Sequence, residues 1–312
     1  MQRFRWLIWV AIIVPSVVWI TLHFTATQWW IENLIGVPSL LLAYYLMLTL
    51  FFVLARLWLY TALCALMCAA LILITPPNSR VVTANCSSPV TVLQYNMLYY
   101  NPHVNEFINY LLSHPTDLVV LQEVAPEDGE KFKLLDDIYP YQYGGQPEVG
   151  YPSSQMILSQ APLVDMSVFH TPDGQNVISG IWRPVSGKRI KLLTAHPPSP
   201  RTKELWYRRN ALLRTIEAMI EQYPADEMLV IGDFNLSANS RRFSALFPSF
   251  ETAPVASWPN WNPLFDTPAF TMIGIDHLWL KSRKSGWRIC SRRADSSIVG
   301  SDHRMVRTKL GY

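Results

Sequence analysis

The chain has 312 residues and a formal net charge of +3, and 50% of its residues are hydrophobic while only 16% are charged. The mean hydropathy of +0.13 is too high for a purely soluble domain and indicates membrane spans joined to a globular part. The small net charge excludes the general affinity for polyanions that a very basic protein has.

Residues 1–75 are predicted to form a transmembrane region of about three helical spans. The spans are predicted at residues 6–24, 37–55 and 57–74. Each is close to the roughly 20 apolar residues that cross a bilayer core. Within residues 6–74, only Glu32 and Arg56 carry a formal charge.

Basic residues predict the orientation of this region. Arg3 and Arg5 precede the first span, and Arg56 separates the second span from the third. Because basic flanking residues stay in the cytoplasm, the N-terminus and Arg56 are predicted to be cytoplasmic. Three crossings then predict a multi-pass protein of the cell inner membrane, with the rest of the chain outside the cytoplasm. The alternative is that the second and third spans form one long bent helix, which would reverse this location.

Residues 76–89, rich in Pro, Ser and Asn, are predicted to be a linker, and residues 90–312 a single globular domain. Cys86 and Cys290 lie in this part of the chain. If it is outside the cytoplasm, these two cysteines could form a disulfide.

Strand-like and helix-like stretches alternate in the globular part. The segments "VTVLQYN", "DLVVLQEV", "MLVIGDFN", "IDHLWL" and "HRMVRTKL" are typical of buried strands, and residues 204–222 repeat apolar residues at helical spacing. Two further strands flank a Ser186–Gly187 turn and are predicted to form a hairpin. The pattern predicts mixed sheets covered by helices, an α/β layered fold.

Polar side chains recur where these strands begin or end. They are Asn96, Glu123, His196, Asp233, Asn235, Asp276, Asp302 and His303. Each one alone has an ordinary explanation, since polar residues are common at strand ends and in loops. Together they predict one shared rim, and their oxygen-rich chemistry favours Mg²⁺ or Mn²⁺ over zinc.

The motifs "VLQYNM", "DLVVLQEV", "LLTAH", "IGDFN", "IDHLWL" and "GSDHRMV", in this order, resemble the endonuclease/exonuclease/phosphatase superfamily. That superfamily includes DNases, exonuclease-III-like nucleases, neutral sphingomyelinases and inositol-polyphosphate 5-phosphatases, and the resemblance covers about residues 90–310. With its N-terminal spans the chain resembles bacterial membrane-anchored members. The resemblance implies a four-layer α/β/β/α sandwich with its site at one rim.

The resemblance also implies roles for the residues at that rim. Glu123, with Asn96 nearby, would hold the divalent cation against a phosphate oxygen. Asp302 would be a second acidic residue at or near the metal.

The same resemblance implies the catalytic roles. Asp233 and Asn235 would position the attacking water and the phosphate, and Asp276 would orient His303. His196 would donate to a phosphate oxygen or protonate the leaving group. Whether Asp233 or His303 accepts the proton of the water stays open.

The function predicted from these features is hydrolysis of a phosphodiester by a membrane-anchored, metal-dependent enzyme. Its predicted partners are the membrane and a substrate that is either nucleic acid or a phospholipid-type headgroup, and no protein partner is predicted. Basic residues after His196, including Arg208 and Arg209, are expected to be mostly solvated. The alternative function is an inactive membrane scaffold that retains the fold.

Overall fold

The computed structural model describes residues 5–25, 27–83, 86–145, 154–284 and 286–312. Arg3, which contributes to the predicted orientation, lies outside the described residues. The N-terminal helices are α1 (Arg5–Thr25), α2 (Trp29–Ile35), α3 (Pro38–Leu54) and α4 (Trp58–Ile74). Thus α1, α3 and α4 coincide with the predicted spans, and α2 occupies the connection between the first two.

The helices α3 and α4 are separate and pack against each other. The chain reverses at Arg56, whose φ of 57° lies in the left-handed region. The amide of Leu57 donates to the carbonyl of Phe52 at 2.9 Å across this turn. The second and third predicted spans are therefore not one long helix.

Among the helices in the described part of the chain, α1 alone is long and apolar enough to cross a membrane by itself. Its 21 residues give a length of about 31 Å, close to the hydrocarbon thickness of a bilayer. The helices α2 and α3 meet the same criterion only as a pair, bent by 57°, and α4 has 17 residues. By length and composition, α1 is therefore the one candidate for a membrane span among the described helices.

Two sheets make up the rest of the chain. The seven-stranded sheet has the order β1 (Ser79–Val81), β12 (Arg288–Asp295), β13 (Met305–Gly311), β2 (Val90–Asn96), β3 (Leu118–Gln122), β5 (Met156–Ser159) and β4 (Tyr141–Gly144). The six-stranded sheet has the order β10 (Glu251–Thr252), β11 (Asp276–Lys281), β9 (Met228–Asp233), β8 (Ile190–Ala195), β7 (Asn176–Trp182) and β6 (Leu163–His170). The helices of this part are α5 (Val104–Ser113), α6 (Pro126–Lys131), α7 (Lys203–Gln222) and α8 (Arg241–Ala245).

The sheets and helices form four layers. Strand alternation sends Val92 into the core between the two sheets, whereas its neighbour Leu93 points to the opposite face and packs with Phe107 of α5. The outer face of the second sheet packs on α7 in the same way, with Leu193 against Leu212. The predicted α/β/β/α sandwich is confirmed.

Part of the predicted linker forms a strand of the fold. Its strand β1 pairs antiparallel with β12 at the edge of the seven-stranded sheet. Cys86 forms a disulfide with Cys290 of β12, and the two Cα atoms are 6.1 Å apart. Residues 76–89 therefore include an edge strand, which composition alone did not indicate, and one cysteine of the disulfide that the sequence allowed.

Candidate active site

Strand direction explains why the polar residues meet at one rim. β2 and β3 are parallel and in register at Asn96 and Gln122, so their carboxyl ends coincide. In the second sheet β8 and β9 are also parallel, and the antiparallel β11 brings Asp276 directly opposite Asp233. His303 lies just before β13, which runs antiparallel to β2.

Asn96 joins the two sheets at this rim. Its side-chain amide donates to Glu123 Oε1 and to Asp233 Oδ2, both at 3.0 Å. Glu123 follows the last residue of β3 with a φ of 54°, a left-handed conformation that is uncommon outside glycine. Such local strain is often found at functional sites. Here it occurs at a carboxylate that lines a cavity at the rim.

Asp233 and Asn235 lie side by side at the rim. The Asn235 amide donates to Asp233 Oδ1 at 2.9 Å, and its side chain donates to the Pro197 carbonyl at 3.1 Å. Phe234, between them, is fully buried with its ring 4.8 Å from that of Trp279. The aromatic contact therefore fixes both polar side chains toward the rim.

Two imidazoles face the Asp233 carboxylate. His196 Nε2 lies 3.5 Å from Asp233 Oδ2 and 3.6 Å from Glu123 Oε1. His303 Nε2 lies 3.7 Å from the same Asp233 oxygen, while its Nδ1 is 2.8 Å from Asp276 Oδ2. The hydroxyl of Ser301 also accepts a hydrogen bond from the His303 amide at 3.0 Å.

This arrangement shifts the pKa values of its members. Burial by itself lowers the pKa of His303, but the charges of Asp276 and Asp233 outweigh burial and raise it to about 10. Burial by itself raises the pKa of Asp233, but His303 and His196 outweigh it and lower it to about 2. Burial also lowers the pKa of His196, and the hydrogen bond and charge of Asp233 reverse that shift. Asp233 is thus an anion beside the cationic imidazole of His303.

The donor chemistry at this rim fits a hard divalent cation. Of the three predicted ligands, Asn96 and Glu123 are in contact, whereas the Asp302 carboxylate accepts from the Trp258 indole at 2.9 Å. Asp302 lines the same pocket as Glu123. A second set of donor atoms, from Asp233, Asp276 and His303, lies within 4.8 Å of one another. Carboxylate and amide oxygens are preferred by such cations.

Several supporting residues were not predicted from the sequence. The side chain of Gln94 donates to Asp276 Oδ1 at 3.4 Å, and buried Arg292 donates to the Asp276 carbonyl at 3.2 Å. Arg209, expected to be solvated, is only 2% exposed. A signal was present, because Arg209 lies four residues after Leu205 and four before Leu213, on the apolar face of α7.

All eight predicted residues lie at one rim, and six of them line a single cavity of about 610 Å³. They are Glu123, His196, Asp233, Asn235, His303 and Asp302, the last beside Trp258. Asn96 and Asp276 lie behind this surface and are held by hydrogen bonds to its members.

Residues 93–303 match the family model described as Endonuclease/Exonuclease/phosphatase family. The chain belongs to this family. Members of the endonuclease/exonuclease/phosphatase family are generally metal-dependent hydrolases that act on phosphodiesters. No curated protein matches the chain.

Solved structures share the family fold with this chain. A humanized D. rerio TDP2 has a TM-score of 0.60 at 18% identity, covering 72% of this chain and 100% of its own. Sphingomyelinase C from Streptomyces griseocarneus has a TM-score of 0.53 at 18% identity, covering 72% and 99%. A family protein from Bacteroides thetaiotaomicron has a TM-score of 0.57 at 14% identity, covering 72% and 98%. At these identities the likeness establishes the fold.

Proposed function

We propose that this protein is a membrane-anchored phosphodiesterase that uses a divalent cation, Mg²⁺ or Mn²⁺, and water attack at phosphorus. The observation that carries the proposal is the cluster at the rim, where Asp233 meets Asn96 and two histidines within a family fold. Carboxylates beside imidazoles provide the acid–base capacity that phosphoryl transfer needs.

Each catalytic residue has a role that its contacts support. His303 lies between the carboxylates of Asp276 and Asp233, so it keeps its proton and donates to a phosphate oxygen. Asp276 orients that imidazole through the 2.8 Å contact. Asp233, with Asn235 beside it, holds the water and accepts its proton. His196 donates to a phosphate oxygen or to the leaving alkoxide.

The residues that would hold the cation are Glu123, with Asn96 against it, and Asp302. When bound, a divalent cation polarises a phosphate oxygen and stabilises the charge that develops on it. The chain itself contributes the carboxylates, and the hydrogen bond from Asn96 fixes the Glu123 oxygen that faces Asp233.

We propose that the N-terminal helices cross the membrane three times, and their connections to the catalytic domain are consistent with this. The helix α2 contacts α7 of the catalytic domain, and α4 leads directly into strand β1 of the same domain. Both connections therefore lie at the end of the helices that is next to the catalytic domain. Arg56, in the turn between α3 and α4, lies at the other end. Apolar side chains such as Leu54 and Leu73, 75% and 84% exposed, suit contact with lipid. The disulfide supports an extracytoplasmic domain.

The test is hydrolysis of bis(4-nitrophenyl) phosphate by the detergent-purified full chain. We expect activity with Mg²⁺ or Mn²⁺ that EDTA abolishes, and a loss of at least about 10²-fold in Asp233→Asn. The matched control is Asp226→Asn, since Asp226 is an exposed carboxylate paired with Arg283. Absence of metal-dependent hydrolysis, or equal activity of the two variants, would instead favour the inactive membrane scaffold.

A further inference from the structure

A segment between two membrane-region helices forms one wall of the catalytic cavity. Glu32, Asn33 and Gly36 come from α2 and the residue that follows it, and they line the cavity together with Asp233 and His303. The chain leaves α1 at Thr25 and enters α3 at Pro38, so this wall is only a few residues from either helix.

The docking of α2 onto the catalytic domain is specific. Buried Arg209 of α7 pairs with Glu32, and the same guanidinium donates to the Asn235 carbonyl at 3.1 Å. The Trp206 indole donates to the second Glu32 oxygen at 2.9 Å. A buried charge is tolerated only with a partner and hydrogen bonds, so this pair holds α2 firmly beside the site.

Two further hydrogen bonds connect this segment to loops around the site. The side chain of Asn33 donates to the Pro200 carbonyl at 2.7 Å, and the Ser237 hydroxyl donates to the Gly36 carbonyl at 2.6 Å. Pro200 and Ser237 themselves line the cavity. The segment that contains α2 is therefore hydrogen-bonded to two separate parts of the cavity wall, at Pro200 and at Ser237.

Exposed apolar side chains occur on α2 and on a loop that begins at the cavity. On α2 they are Trp30 and Leu34, 52% and 44% exposed. In the loop that follows the cavity-lining Trp258 they include Leu264 and Phe265, 81% and 54% exposed. That loop ends in a 3₁₀ turn, residues 269–271, which packs against α3. Aromatic and aliphatic side chains beside membrane helices lie in the bilayer interface.

We propose that the cavity takes the phosphodiester group of a lipid from the bilayer that surrounds α1 and α3, with α2 as its membrane-side wall. This inference rests on the proposed phosphodiesterase activity. The oxygen of water bonds to phosphorus and the bond to one ester oxygen breaks. The departing alkoxide takes up a proton as the water loses one, which yields a phosphomonoester and an alcohol.

The experiment uses the full chain reconstituted into vesicles of phosphatidylcholine, phosphatidylethanolamine, phosphatidylglycerol and sphingomyelin. Products are measured by mass spectrometry, beside hydrolysis of soluble bis(4-nitrophenyl) phosphate and of a single-stranded DNA oligonucleotide. We expect lipid hydrolysis, and at least a tenfold fall in the ratio of lipid to soluble-ester hydrolysis in Leu34→Glu and in Phe265→Glu.

The matched control is Val185→Glu. Val185 is 43% exposed, as Leu34 is 44% exposed, but it lies in the turn between β7 and β8, at the far end of the strand from His196. This control should keep the wild-type ratio, and the thermal midpoints of all three variants should match the wild type because the altered side chains are exposed.

The outcomes separate the two proposals. Hydrolysis of the soluble ester or of DNA with intact bilayer lipids would overturn the lipid inference and leave the phosphodiesterase proposal standing. Equal ratios in Leu34→Glu, Phe265→Glu and Val185→Glu would also overturn it. Failure to hydrolyse any of the phosphodiesters would overturn both proposals together.

Discussion

His277 and its neighbour Asp276 illustrate how two adjacent buried residues of one strand serve different purposes. Asp276 points to the rim and holds His303, whereas His277 points into the aromatic cluster with Phe243 and Trp279. His277 Nε2 donates to the Leu236 carbonyl at 2.7 Å, and within the described chain its Nδ1 has no hydrogen-bond partner. Burial consequently lowers the pKa of His277 to about 3.

This shift predicts a loss of stability in mild acid. As pH falls below about 6.5 the unfolded chain protonates this histidine, but the folded chain does not until about pH 3, so stability decreases between these values. The contribution is about 1.4 kcal/mol per pH unit. We expect His277→Phe to reduce the acid sensitivity of thermal unfolding between pH 8 and pH 5. The same dependence on pH in variant and wild type would contradict this assignment.

At the scale of elements, the packing of α2 against α7 depends on the Glu32–Arg209 ion pair. Removing one partner of a buried pair leaves an uncompensated charge and costs about 3–5 kcal/mol, whereas replacing both with apolar residues costs less. We therefore expect Glu32→Ala to lower the thermal midpoint more than the double variant Glu32→Leu, Arg209→Met. A double variant less stable than Glu32→Ala would contradict the assignment of Glu32 and Arg209 as a buried ion pair that holds α2 against α7.

The elements themselves differ in how far the sequence predicts them. The buried strands and the long helix α7 were predicted to within a residue or two, because the strands are nearly continuous apolar runs and α7 repeats apolar residues at helical spacing. The eight residues at the rim were predicted because each stands beside such a strand. Other features leave no local pattern in the sequence. Strand β1 has no apolar alternation, and the contact between Glu32 and Arg209 joins residues 177 positions apart, which no local pattern records.

At the scale of the whole molecule, the disulfide bears on the proposed topology. Cys86 and Cys290 are separated by 204 positions, so their bond ties the segment after α4 to β12. Such bonds persist in oxidising compartments and are rare in the cytoplasm. The proposed three crossings from a cytoplasmic N-terminus would lead to the same location, because α2 and the end of α4 both adjoin the catalytic domain.

We predict that alkaline phosphatase fused after Tyr312 is active in cells, because that reporter folds only where disulfides form, and that a green fluorescent protein fusion at the same position is dark. In non-reducing gels the wild type should migrate faster than Cys86→Ser, and Cys290→Ser should migrate like Cys86→Ser. The two free cysteines, Cys64 and Cys68, are buried in α4, so they should not complicate the comparison. An inactive phosphatase fusion with a fluorescent partner fusion would reverse the topology. It would also move the catalytic cavity, with its α2 wall, to the cytoplasmic leaflet.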